Sequence, residues 1–275
     1  MPTQTELAHT FRALHGGPTA FLIPNPWDVG TARLLASLGF QALATTSAGH
    51  AFAEGQPDGS TTRDAVIAHV AAIARATDLP VSADLENGFA DDPVGLVETL
   101  QRVAAAGAVG ASIEDARRDG SLYEVAEAVD RLQAAAAWAR TLPFPFMLTG
   151  RAENYLHGRP DLADTIARLQ AYQQAGATVL YAPGLSRREE IAAVVSSVDR
   201  PVNVLMGLTG NPLTLADVSA LGVKRVSVGS ALSRAALGAV RRAADEMRHA
   251  GTFRFGDEAM SYGELNALFG RFPRA

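Results

Sequence analysis

Eight short apolar runs alternate with helical patterns along almost the whole chain, and that alternation leaves few folds open. The runs are Phe21–Pro24, Ala42–Ser47, Val81–Leu85, Val109–Glu114, Phe146–Gly150, Thr178–Ala182, Val202–Met206 and Arg225–Gly229. A strand that is followed by a helix reaches its parallel neighbour by a right-handed crossover. Eight such units predict an α/β fold closed into a (β/α)8 barrel of the TIM type rather than an open sheet. Gly39, Gly107, Gly176 and Gly222 fall between a helical run and the next strand, where a glycine releases the helix. Pro26 and Pro93 suit first-turn positions, and Ser186-Arg187-Arg188-Glu189 has the form of a capping box. Residues 5–16 are expected to form an N-terminal helix ahead of the barrel. Residues 252–275, with Phe253, Phe255, Phe269 and Phe272, form a C-terminal helical extension that needs a surface to cover, which another subunit would supply. No linker-like stretch interrupts the chain, so 1–275 reads as a single domain.

Barrels of this kind carry their chemistry where the strands end. Val81 to Gly88 and Ser112 to Asp115 put Asp84, Glu86 and Glu114 at the ends of two strands. Carboxylates there are costly unless a cation or a reacting proton uses them. Asp84 and Glu86 are two apart and would share a face of an extended strand. Three acids converging on one mouth read as a hard-metal site for Mg2+ or Mn2+. Arg151, ending strand five, suits bidentate grip of a carboxylate, with a salt bridge to Glu153 or Glu114 as the alternative. The small Ser47-Ala48-Gly49 turn offers N–H groups to an anionic oxygen. His50 beside it has an ordinary pKa near neutrality and is a candidate acid or base, or a solvated loop residue. Pro57-Asp58-Gly59 makes a turn by itself, and Asp58 is a catalytic candidate in addition. Asn203 ends strand seven. His9, His15, His69 and His249 fall in helical runs and read as surface residues. The glycines at 207, 210 and 229 mark either tight turns or a phosphate loop.

Composition closes other routes. The chain has no cysteine, which excludes disulfides, thiolate metal sites and a cysteine acid. Lys224 is the only lysine and precedes a strand, on the wrong side for imine chemistry. A net charge of −5 gives no nucleic-acid footprint. There is neither a secretory signal pattern nor an apolar run long enough for a membrane span, so a cytoplasmic protein without membrane partners is expected.

Asn-Pro-Trp-Asp-Val-Gly at 25–30, Thr-Thr-Ser-Ala-Gly at 45–49, Pro-Asp-Gly at 57–59, Ala-Asp-Leu-Glu-Asn-Gly at 83–88, Ile-Glu-Asp at 113–115 and Arg-Val-Ser-Val-Gly-Ser at 225–230 resemble the isocitrate lyase/phosphoenolpyruvate mutase family, in order and over nearly the whole barrel. The resemblance implies a Mg2+-dependent enzyme working through the enolate of a small oxo acid. It implies that Asp84 binds the metal directly, that Glu86, Glu114 and Asp58 hold its waters, and that Trp27, Ser47, Ala48, Gly49 and Arg151 line the oxo-acid pocket. It also implies a homodimer or homotetramer that exchanges a C-terminal helix.

The departures narrow the branch. The Lys-Lys-Cys-Gly-His lid of isocitrate and methylisocitrate lyases has no counterpart, and Ala116 to Ser121 is shorter than the mutase lid and free of lysine. The family's Asn-Ala-Arg-Thr-Asp on strand five becomes Thr149-Gly150-Arg151-Ala152-Glu153. The expectation is a lyase of a small 2-oxo or 2-hydroxy di- or tricarboxylate, with oxaloacetate-type decarboxylation preferred because it needs no cysteine acid. Phosphonopyruvate-type mutase or hydrolase chemistry is one alternative, and a non-catalytic oxo-acid-binding barrel is the other.

Overall fold

A computed structural model describes residues 2–272. Eight strands form one sheet: β1 Phe21–Ile23, β2 Leu43–Ala44, β3 Val81–Asp84, β4 Gly110–Glu114, β5 Met147–Arg151, β6 Val179–Tyr181, β7 Val202–Leu205 and β8 Arg225–Ser227. All ladders are parallel, in the order β1-β8-β7-β6-β5-β4-β3-β2. No ladder joins β1 to β2. That seam is bridged by Ala44 N–H donating to Pro24 O at 3.1 Å, and by Asn25. The Asn25 amide donates to Thr45 O at 3.0 Å and accepts from the N–H groups of Val228 and Gly229, each at 2.9 Å. The second strand is shorter than expected because Thr46 caps a helix instead: its hydroxyl accepts from Gly49 N–H.

Around the sheet run α1 Gln4–Leu14, α2 Val29–Ser37, α3 Ser47–Ala53, α4 Arg63–Ala76, α5 Pro93–Ala105, α6 Val125–Ala139, α7 Leu162–Ala175, α8 Arg188–Ser196, α9 Leu215–Ala220, α10 Ala231–His249 and, after a 3-10 turn at Arg254–Glu258, α11 Tyr262–Phe269. Gly39, Gly107, Gly176 and Gly222 all have positive φ, as their helix-ending positions require. Pro93 opens α5 behind an Asp92 cap. Pro26, however, lies ahead of the Asp28 cap of α2, and the Ser186 capping box does not form, α8 beginning after Arg187 with no side-chain cap.

α1 plugs the N-terminal end of the barrel. Its Ala8 and Phe11 join Phe21, Ile23, Val109, Met147 and Val179 in one buried cluster. Gly110 makes room for this plug, since a Cβ there would meet Met147 O at 2.7 Å and the Phe11 ring at 3.1 Å. His15 ends the plug, 4 % exposed with its ring edge-on to Phe11 and Phe21, and His69 is also buried, so neither is the surface residue expected. His9 and His249 are exposed. The larger core lies between the sheet and helices α4 to α9. Helices α10 and α11 differ from the others in burying almost nothing. In α10, Ser233 is the one buried residue, while Leu232, Leu237, Val240 and Met247 face out, as does Leu22 on β1. α11 packs against α2 of its own barrel. No helix among the described residues is long and apolar enough to cross a membrane.

Candidate active site

Polar residues recur at every second position of β3, β4, β5 and β8, and alternation turns them into the barrel, where β6 and β7 add one each. Ser82 and Asp84, Ser112 and Glu114, Tyr181, Asn203, and Arg225 and Ser227 all line a cavity of about 440 Å3 that opens at the C-terminal strand ends. That size suits a small acid.

Asp84 ends β3 and sits at the centre. Its Oδ2 accepts from Ser47 N–H and from Ser47 Oγ–H, both at 2.9 Å. Its Oδ1 accepts from Ser112 Oγ at 3.2 Å and Arg151 Nη1 at 2.9 Å. Arg151 ends β5, with Nη1 also 2.9 Å from Glu114 and Nε 2.7 Å from Glu153. Its guanidinium lies 4.9 Å over the Tyr181 ring. The salt-bridge alternative is therefore what this arginine does here, with three carboxylates at once. Burial opposes its charge, but Glu114, Glu153 and Asp84 outweigh it and hold the guanidinium firmly protonated. One cation cannot neutralise three anions, and burial drives the Glu114 carboxyl well above the usual range despite Arg151.

Glu86 also lines the cavity, by a different route from the one expected. β3 stops at Asp84, and Glu86 follows at φ 51°, a left-handed conformation that a strand does not contain. Its Oε1 accepts from Thr61 Oγ1 at 3.3 Å, and its carbonyl accepts from Glu114 N–H at 2.9 Å. Burial and then the Asp84 charge raise its pKa. Asp58 reaches the cavity from the loop before α4, and burial followed by Asp84 raises its pKa too. Arg118 latches that loop by donating to Gly59 O at 2.5 Å.

The remaining expected residues divide. Ser47, Ala48 and Asn203 line the cavity. The Ser47-Ala48-Gly49 turn is the first turn of α3, and both Ser47 donors are taken by Asp84. Gly49 and Trp27 lie behind this wall: a Cβ on Gly49 would meet Thr46 Cγ2 at 2.5 Å and Trp27 Cβ at 3.1 Å. His50 is neither solvated nor in the cavity. It stacks on His69 with ring centroids 4.0 Å apart, and burial lowers its pKa. Gly229 and Ser230 reach the cavity, whereas Gly207 and Gly210 are positive-φ turn residues outside it.

Sequence reasoning gave no site role to Ser112, Tyr181, Arg225 and Ser227 and named Glu153 only as an alternative partner of Arg151; the period-two polar pattern within apolar strands is the signal that finds Ser112, Arg225 and Ser227. Glu153 is fixed from behind. Asp115, 3 % exposed, accepts from Glu153 N–H at 2.8 Å, from Arg168 Nη1 at 3.0 Å and from the Tyr172 hydroxyl.

Among the described residues, no three His, Asp or Glu side chains form a ready-made metal shell, and Arg151 Nη1 stands between Asp84 and Glu114. The donor chemistry nevertheless fits a magnesium ion. All the donors are carboxylate oxygens, and Mg2+ keeps several waters while taking only one or two protein carboxylates.

The phosphoenolpyruvate phosphomutase family model matches residues 11–248. An uncharacterised protein of Mycobacterium tuberculosis (strain H37Rv) is 35 % identical over 237 residues, covering 86 % of this chain and 87 % of its own. Oxaloacetate decarboxylase of Paraburkholderia xenovorans (strain LB400) is 30 % identical over 216 residues, covering 74 % and 69 %. Among solved structures, a candidate lyase/mutase from Burkholderia cenocepacia J2315 is 60 % identical, with a TM-score of 0.94 and coverage of 97 % and 96 %. Phosphonopyruvate hydrolase in complex with oxalate and Mg2+ is 25 % identical, with a TM-score of 0.85 and coverage of 98 % and 96 %.

Proposed function

The chain belongs to the phosphoenolpyruvate phosphomutase family, within the isocitrate lyase superfamily, and from that premise we propose that it is a Mg2+-dependent carbon–carbon lyase of a small 2-oxo or 2-hydroxy di- or tricarboxylate. The observation that carries this reading is the cluster of Asp84, Glu86, Glu114 and Arg151 at the barrel mouth. Asp84 would hold the metal, with Glu86, Glu114 and Asp58 holding its waters. When bound, such an ion polarises the oxo or hydroxy oxygen and stabilises the charge that develops there.

The chain's own residues do the rest. Arg151 exchanges part of its carboxylate shell for the substrate carboxylate, held in place by Glu153 and the Tyr181 ring. Ser47 and Ala48 bound the pocket opposite. In a 2-oxo acid with a carboxylate on C3, the bond from C3 to that carboxylate breaks, CO2 leaves, and the electron pair becomes the enolate of the remaining oxo acid. In a 2-hydroxy acid, a cavity carboxylate takes the hydroxyl proton as C2–C3 breaks, C2 leaves as the carbonyl carbon of one product, and the electron pair becomes the enolate form of the carboxylate product. In both cases the carbanionic carbon then takes up a proton. His50 lies outside the cavity, so this reading gives it no part in that proton transfer.

Exposed α10 together with exposed Leu22 on β1 supports a homodimer or homotetramer in which α10 is exchanged between subunits. The absence of a membrane-crossing helix among the described residues is consistent with a cytoplasmic location. A phosphonopyruvate-type reaction is the second reading, supported by the hydrolase likeness and by Arg117 and Arg118 at the cavity rim. It predicts turnover visible by phosphorus NMR.

Calorimetric titration of oxalate, a planar mimic of pyruvate enolate, tests the first reading. Binding that needs Mg2+ and disappears with EDTA supports the metal-assisted site. Absence of binding in both conditions refutes it in favour of a barrel without this chemistry.

A further inference from the structure

At the floor of the cavity lies a cation that the catalytic reading does not use. Arg225 opens β8 and turns inward, so its side chain lies inside the barrel, 4 % exposed. Its Nε donates to Asn203 Oδ1 at 3.0 Å and its Nη2 to Thr149 Oγ1 at 3.0 Å. Nη1 is buried and makes no hydrogen bond. Both partners are neutral. Besides burial, the groups that bear on its charge are Tyr181 and Arg151, and no carboxylate is among them. Burial first, and then repulsion from Arg151, lower its pKa to about 10, so it stays charged at neutral pH. The plug below offers no anion either. His15 is held neutral, pushed down to about 3 by burial and by Arg225 itself, and Lys224 Nζ is turned to Gly17 O at 2.9 Å. Arg151 takes three carboxylates while Arg225 takes none. A buried guanidinium without a counter-charge is costly, and an anionic ligand is the way to recover that cost.

Asn203, Ser227 and Tyr181 line the free space together with Arg225. Because Asn203 Oδ1 is engaged by Arg225 Nε, its Nδ2 is set as the outward donor. One of its hydrogens goes to Ser227 Oγ at 2.9 Å, leaving the other for the cavity. We infer that Arg225 is a positioning residue that makes this floor a subsite for a second carboxylate, so that the chain selects a dicarboxylate over a monocarboxylate. The carboxylate touches Asn203 and Ser227. Arg225 acts on it through the orientation of the Asn203 amide and through its own uncompensated charge. The inference rests on the proposed function for the other end of the substrate, at Asp84 and Arg151. It also has a chemical consequence. Stabilising a carboxylate in the ground state raises the barrier to its loss as CO2. The floor therefore favours cleavage between C2 and C3, which leaves both carboxylates on the products.

The test uses the full-length protein with Mg2+ and two probes: oxalate, which fills only the Asp84 end, and malate, which adds a distal carboxylate. Arg225→Met is expected to weaken malate by about tenfold or more while leaving oxalate within about twofold, because it removes the nearby charge and frees the Asn203 amide to turn. Arg225→Lys, which keeps the charge, restores part of the malate affinity. The Met variant should also raise the Tm of the ligand-free protein, because it removes an unpaired buried charge, whereas losing a mere brace lowers it. Asn203→Asp is the second variant. It supplies the missing counter-charge, so it too should weaken malate selectively and raise Tm. Equal losses for both ligands, or malate affinity unchanged in the Arg225→Met and Asn203→Asp variants, overturn the inference. Oxalate failing on the parent while malate still binds in an Arg225-dependent way sinks the proposed function alone.

Discussion

Acid should weaken this protein through two histidines that were expected at the surface and lie in the core. His15 closes the plug under the barrel, where burial first and then the Arg225 charge push its pKa down to about 3. His69 on α4 is pushed down to about 4 by burial, then by His50, with Asp28 opposing. Both are lowered from an ordinary value of 6.5. The folded state therefore binds fewer protons than the unfolded chain below that value. The associated stability is complete above about pH 6.5 and is lost as pH falls toward the folded values. At pH 5 each imidazole is protonated in the unfolded chain and neutral in the fold, so each removes about 2 kcal/mol. Their sum, about 4 kcal/mol, is a large part of the roughly 5–15 kcal/mol that holds a domain together. Asp58, Glu86 and Glu114 act in the opposite sense, since raised carboxyl pKa values favour the fold on acidification, so the total curve is shallower than the histidine part. Comparison with variants isolates that part. Urea unfolding at pH 8 and pH 5 should show His15→Leu and His69→Leu each losing about 2 kcal/mol less than the parent across that interval. A loss equal to the parent's in both variants would refute the argument.

Three further outcomes follow from the site and its supports. Asp84→Asn should bring metal-dependent turnover below about 1 % of the parent with an unchanged far-UV spectrum, because it removes the carboxylate on which Ser47, Ser112 and Arg151 converge. Arg168→Met leaves Asp115 buried without its cation and should cost about 3–5 kcal/mol in denaturant unfolding. Gly49→Ala drives a Cβ into Thr46 and Trp27 and should destabilise by about 1–3 kcal/mol, displacing the first turn of α3 and weakening oxalate binding by calorimetry.

The barrel was legible because strand–helix alternation and helix-ending glycines are local signals, and all eight strands fall within or beside the expected runs. The mouth acids were legible because strand ends carry the chemistry in such barrels. What stayed hidden depends on contacts distant in sequence. His50 reads as a loop residue until the stacking of α3 on α4 brings His69 against it. Arg151 reads as a substrate ligand until β3, β4 and β5 close and present Asp84, Glu114 and Glu153 to one guanidinium. The same-face argument for Asp84 and Glu86 fails because it assumed a strand two residues longer than β3, although the turn at Glu86 still delivers its carboxylate to the cavity.

The departures from the family pattern on strand five connect to the floor. Thr149 stands where the resemblance leads one to expect asparagine, and its hydroxyl accepts from Arg225 Nη2. At Gly150 the packing is tight, since a Cβ there would lie 3.2 Å from Tyr172 Cβ and 3.3 Å from Ala177 Cβ, so a larger residue would press on both. Tyr172 in turn donates to Asp115, which fixes Glu153, the last of the changed positions and the partner of Arg151 Nε. Substitutions that look separate along the strand thus sort onto its two faces. Thr149 and Arg151 face inward and link the two arginines of the cavity, while Gly150 and the backbone of Glu153 are set by the Asp115, Arg168 and Tyr172 cluster outside. A change on either face alters how firmly Arg151 and Arg225 are held, the two cations proposed above to read the two ends of a dicarboxylate. On the proposed function, reaction specificity would be set by β5 and β8 together with the acids at the mouth, and the choice of substrate would fall to the barrel floor rather than to the lid motifs absent from this sequence.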